Sequence, residues 1–242
     1  MMKLSIAAIA LFGVVTSAQA HQIWIEQPEG QNAVVRFGEF GENLREASPG
    51  LLDKFAKPTG TLISAKGEQK SDATKTANGF TLPFKAASGE SLVAEDASYP
   101  LYTWKQKDKD VINWFYPAAR LITGFAAQQP KLVLDLVPTG DVGQFKLVFK
   151  GQPKAKAKVT LVTQSGWSRE AHTDAQGLVK FDMPWKGVYV AEVSVNDNSS
   201  GERQGAGGAE KYDAESQPTA PLIISNGGPE PIPPGPPAMP GK

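Results

Sequence analysis

The stretch 186-KGVYVAEVSV-195 sets the fold class. Val188, Val190, Glu192 and Ser194 alternate with Tyr189, Ala191, Val193 and Val195, the period of two that belongs to a strand and not to a helix. Upstream, residues 174–177 (DAQG) read as a hairpin turn with Gly177 at the left-handed position. The runs KLVLDLVP, GQFKLVF and KVTLV precede it, and APLIIS follows as a closing strand. These runs predict a small sandwich over residues 140–226.

The same pattern extends toward the N-terminus. HQIWIE (21–26) places His21, Ile23 and Ile25 on one face and Gln22, Trp24 and Glu26 on the other; NAVVRFGEF, GTLISAKG, GFTLPF and GESLVAED are further short apolar runs bounded by turn residues. The predicted class is therefore all-β, with two sandwich-like parts at 21–139 and 140–226. One segment, DKDVINWFYPAARLITGF, carries Val111, Ile112, Phe115, Ala119 and Ile122 at roughly helical spacing and predicts a short helix broken at Pro117. NDNSSGERQGAGGAEK reads as a mobile loop. Residues 227–242 hold seven prolines and four glycines in sixteen positions, too little apolar surface to fold, so a disordered tail is expected.

The first twenty residues have one lysine, an apolar run through Val15 and the small-residue pattern Ala18-Gln19-Ala20, the signature of a secretory leader cleaved after Ala20. The run is too short for a spanning helix, so no membrane span is expected after cleavage. Removing residues 1–20 leaves 24 basic and 25 acidic side chains. That balance gives no basic footprint for nucleic acid. The chain has no cysteine, so neither disulfides nor thiolate chemistry enter. A periplasmic or secreted location follows from the leader.

Cleavage makes His21, one of only two histidines, the first residue of the mature chain. Its α-amine and ring Nδ1 together form a compact chelate, and their protons are easily displaced by a metal near neutral pH. Nitrogen donors favour nickel, cobalt or copper over magnesium or calcium. The second histidine, His172, lies two residues beyond Glu170 on one strand face, so the candidate metal set is His21, His172 and Glu170. Glu39, Glu42 and Glu46 form an acidic cluster whose default reading is a solvated loop, with hard oxygen ligands near the metal site as the alternative. No nucleophile elbow, phosphate loop, HExxH pattern or dinucleotide fingerprint is present, so no enzymatic activity is expected.

AHQIWIEQP after a leader, VRFGEFGENLRE, LVLDLVPTGDVGQFKLVFKGQPKAKAKVTLV and HTDAQGLVKFDMPWKGVYVAEV together resemble the NikM-type periplasmic family associated with nickel and cobalt uptake, long catalogued as a domain of unknown function. The second half is also similar to immunoglobulin-like and carboxypeptidase-regulatory-type sandwiches. The resemblance implies an exported β protein that handles a transition metal, accessory to uptake or homeostasis, with a membrane metal transporter as partner. Two other readings stay open: a copper-dependent oxidase resembling lytic polysaccharide monooxygenases, built on the same paired histidines, and a metal-free envelope binding or adhesion module.

Overall fold

In a computed structural model, residues 21–107, 109–205 and 207–241 are described. The leader read over residues 1–20 lies outside them. The fold is all-β, and among the described residues the only helical pieces are two short 3-10 turns, Phe40–Glu42 and Leu51–Lys54. Among the described residues no helix is long and apolar enough to cross a membrane.

One long sheet organises the chain. Its order runs Gly67–Asp72, Thr59–Ser64, Ser91–Glu95, Ala118–Ile122, Leu222–Ser225, Gly187–Asp197, Ala214–Thr219, Lys109–Phe115 and Tyr102–Gln106, with Lys158–Thr163 and Ser168–His172 branching from Gly187–Asp197. Neighbouring residues on its strands enter different cores. Leu121, Val162, Val190 and Leu222 pack into one cluster, whereas Ile122, Leu161, Tyr189, Ala191 and Ile223 pack into another. Because successive side chains point to opposite faces of a strand, the two cores lie on opposite faces of this sheet.

A smaller sheet covers each core. On one face lie Gln22–Glu26, Val34–Glu39, Gly79–Thr81 and Thr74–Thr76, with Leu44–Arg45 attached. On the other lie Leu134–Pro138, Gln144–Phe149, Gln152–Pro153 and Leu178–Lys180. The architecture is thus a pair of sandwiches that share their middle sheet. Residues 139 and 140 lie in the turn that joins Leu134–Pro138 to its partner Gln144–Phe149, and the closing strand Leu222–Ser225 runs parallel to Ala118–Ile122 of the first half.

Three expectations are corrected. The segment expected to form a broken helix is two strands, Lys109–Phe115 and Ala118–Ile122, separated at Pro117. Its apolar spacing fits both periods, and pairing decides: Ala118–Ile122 lies between Ser91–Glu95 and Leu222–Ser225 and is buried throughout. The loop expected to be mobile is a hairpin, Gly201–Gly205 with Gly208–Tyr212. Arg203 anchors it, donating to Glu210 and to the carbonyls of Ala97 (3.0 Å) and Tyr99 (2.6 Å).

The third is the proline-rich tail, which is laid along the protein instead of being disordered. Lys186 donates its backbone N–H to Pro229 O (3.0 Å) and its ammonium to Glu230; Asn43 donates to Gly235 O (2.8 Å); Ala238 bridges to Leu44. A proline-rich segment loses little backbone entropy on docking because its φ angles are fixed in advance, so few contacts are enough to seat it.

Candidate metal centre

His21 leads into Gln22–Glu26, which pairs antiparallel with Val34–Glu39 in the register Gln22 opposite Gly38. The next position out sets Glu39 beside His21. The chain then turns sharply through Phe40–Glu42 to Asn43, which is left-handed at φ 51°, and Leu44–Arg45 folds back on Gly38–Glu39. Gly38 is needed for this: its φ is +144°, and a Cβ there would lie 2.4 Å from the Leu44 carbonyl oxygen. The reversal delivers Glu46 to the other side of the His21 ring, where its N–H donates to Phe37 O at 2.8 Å.

The imidazole is therefore held between two carboxylates. Nε2 lies 2.6 Å from Glu46 Oε1 and Nδ1 lies 3.2 Å from Glu39 Oε1. Glu46 is wholly buried, whereas the side chains of His21 and Glu39 keep 29% and 20% exposure. The second oxygen of Glu46 accepts the N–H of Gly241 at 2.8 Å. An ionised carboxylate only accepts, so Nε2 carries a hydrogen toward Glu46. Nδ1 then faces a second acceptor, and that contact is attractive only with a positive charge between them, a proton or a metal ion.

A further acid reaches this cluster from the long sheet. Burial pushes the Glu192 carboxyl up to about 7, against the lowering effect of a hydrogen bond with Gln22, and repulsion from Glu39 adds to the rise. Its place in the otherwise apolar run VYVAEV is the sequence signal for it. Glu42, the middle acid of the cluster, is exposed on the 3-10 turn.

The other predicted site residues are elsewhere. His172 ends the exposed strand Ser168–His172, opposite Lys158. Glu170 pairs with the Lys158 ammonium at 2.8 Å, and that hydrogen bond holds its carboxyl below the ordinary range. Both side chains share a face with Glu192, but Lys158–Thr163 lies between their strand and Gly187–Asp197. Two strand spacings amount to about 10 Å, so the structure brings Glu39 and Glu46 to His21 and leaves Glu170 and His172 apart. Among the described residues no three His, Asp or Glu side chains converge as a ready metal site. Glu39 and Glu46 sit at different nitrogens of one ring, so only one of them can share an ion with it.

Comparisons with family models, curated proteins and solved structures gave no match.

Proposed function

We propose that this chain is an exported binding protein which, once the leader is removed after Ala20, holds a divalent transition metal (nickel, cobalt or copper) at His21. The α-amine and Nδ1 of His21 and one oxygen of Glu39 are the donors. The observation that carries the reading is the Glu46 contact to Nε2, which commits that nitrogen as a donor and leaves Nδ1 to the metal. Metal-bound histidines usually give their second N–H to such a carboxylate, which fixes the ring and raises its basicity.

The donor spacing fits the ion. Two ligands bonded at about 2.0–2.2 Å to one metal stand near the 3.2 Å that separates Nδ1 from Glu39 Oε1. His172 and Glu170 are left out of this set because Glu170 is engaged by Lys158 and the pair lies two strands out. With three donors the site keeps coordination positions open, which suits a protein that receives a metal and passes it on. A periplasmic or secreted location and a membrane transporter as recipient belong to the same proposal.

Calorimetric titration of protein starting at His21 with Ni(II), Co(II) and Cu(II) tests it. Binding tighter than about 10 μM, near −6.8 kcal/mol, is expected for at least one ion. Weaker binding of all three would refute the reading.

A further inference from the structure

Beside His21 opens a pocket of about 560 Å³. That volume lies within the range of small-molecule sites. Its walls are largely aromatic: Phe37, Tyr99, Tyr102 and Phe115, with Leu51 and Leu101 filling the gaps. The phenyl and phenol rings are locked edge to face, and the His21 ring is tilted against the last of them. Tyr99 meets Phe115 at 4.9 Å and Phe55 at 5.0 Å, Phe55 meets Phe37 at 4.8 Å, and Phe37 meets the His21 ring at 5.2 Å. The Tyr99 carbonyl is pinned by Arg203, and the Tyr102 hydroxyl accepts from Asn113 at 2.7 Å. A cavity with walls held this way is formed before a ligand arrives, so little ordering cost is charged to binding.

Among the described residues that line the cavity, Lys54 is the side chain with a fixed charge, His21 is the other basic group, and none is a carboxylate. Lys54 is exposed on the turn Leu51–Lys54. The acid next to it, Asp53, is already taken by Lys75, by the Ser48 hydroxyl and by the Gly50 N–H. Glu39 and Glu46 are likewise turned to the His21 nitrogens. The matching ligand is flat and apolar over most of its surface and carries one negative group.

We infer that this pocket binds a small aromatic carboxylic acid, its ring against Tyr99 and Phe115 and its carboxylate paired with Lys54. Aromatic rings packed edge to face attract one another beyond what area burial gives, which favours an aromatic ligand over a linear fatty acid of equal size. This site stands apart from the metal reading, since Lys54 and the Tyr99 and Phe115 rings that hold the ligand are not metal donors. His21 is the one residue common to both.

The test is titration of the chain from His21 onward, in chelator, with phenylacetate, benzylamine and hexanoate, followed by calorimetry. Phenylacetate is expected to saturate with Kd below about 1 mM, and benzylamine and hexanoate to bind at least tenfold more weakly. Lys54→Met, a surface change that leaves the core intact, should weaken phenylacetate about tenfold or more. Leu101→Trp, which fills the cavity, should abolish it. No saturation by phenylacetate, equal affinity for benzylamine or hexanoate, or an unchanged Kd in Lys54→Met would each overturn the assignment. Because chelator is present, either result leaves the metal titration to be judged on its own.

Discussion

Glu46 and Gly241, 195 residues apart, meet in a 2.8 Å hydrogen bond from the Gly241 N–H to the same buried carboxylate that grips His21. His21 and the C-terminal tail thus share one acceptor. Deleting residues 227–242 removes that bond along with the Asn43 contact to Gly235 and the Lys186 pair with Glu230. A hydrogen bond to a charged group is worth about 1.5–3 kcal/mol when its partner is left buried, and solvent reaching Glu46 offsets part of this. The truncated chain is expected to lose on the order of 1–2 kcal/mol, read as a lower midpoint in urea at unchanged slope. A midpoint equal to that of the full chain would mean that the tail is not docked.

A second test concerns the middle sheet. Arg120 is wholly buried, and its guanidinium forks onto both oxygens of Asp135, also wholly buried, at 2.9 and 2.5 Å. Arg120 also donates to Ser91 and Gln128, and Asp135 accepts the N–H groups of Lys131 and Leu132. The pair ties the long sheet to the strand Leu134–Pro138. Removing one charge leaves the other buried and alone, so Arg120→Met should cost about 3–5 kcal/mol. Arg120→Met combined with Asp135→Asn should recover part of that loss. Urea denaturation of both variants measures the difference, and a single mutant as stable as the parent would show that the pair is not buried.

Glu192 makes stability depend on pH. Its carboxyl titrates near 7 in the folded protein against 4.5 in the free side chain, chiefly through burial. The folded state therefore holds this proton more tightly than the unfolded state. The stabilisation is fully present below about pH 4.5 and is lost as pH rises through about 7. Between pH 5 and pH 8 the Glu192 contribution should fall by on the order of 2 kcal/mol. Glu192→Gln, neutral at every pH, should flatten this slope and be the more stable protein at pH 8. Denaturation at pH 5, 6.5 and 8 in chelator checks it, and parallel curves for the two proteins would refute the prediction.

The same residue shows how far the sequence was legible. The alternation in 186–195 correctly set Tyr189, Ala191, Val193 and Val195 on one face, and all four enter the same core. On the second face Val190 is fully buried and Glu192 is half-buried, because the five-stranded sheet covers that side. Local period reports which residues share a face, not what lies across from it. The misread helix has a related cause: Lys109–Phe115 and Ala118–Ile122 pair in parallel with strands about 100 residues later. Glu39 and Glu46 were visible as acids and as secondary candidates for oxygen ligands near the site, but the sequence did not set one at each nitrogen of His21. Their convergence depends on the left-handed Asn43 and on the close approach at Gly38, turn geometry that a run of polar letters does not specify.

Under the proposed cleavage after Ala20, His21 would offer an α-amine as well as its ring nitrogens. If the α-amine is a donor, metal binding requires a free N-terminus at position 21 and not merely an imidazole there. Protein retaining one extra residue before His21 presents an amide nitrogen, whose lone pair is delocalised into the carbonyl, while Nδ1, Glu39 and Glu46 are unaltered. Its affinity should fall at least tenfold, with folding unchanged in urea. Glu46→Gln should also weaken binding, by about 10–100-fold, the usual effect of losing the carboxylate behind a metal-bound histidine. The two changes differ in what they leave: the extended protein keeps an oriented ring without its amine, and the Gln variant keeps the amine on a ring that is no longer oriented. His172→Ala should leave the affinity within about twofold, because its strand lies two spacings from Gly187–Asp197. Equal affinity in the extended and native-start proteins would rule out the amine, and a large loss in His172→Ala would place the second histidine back among the ligands.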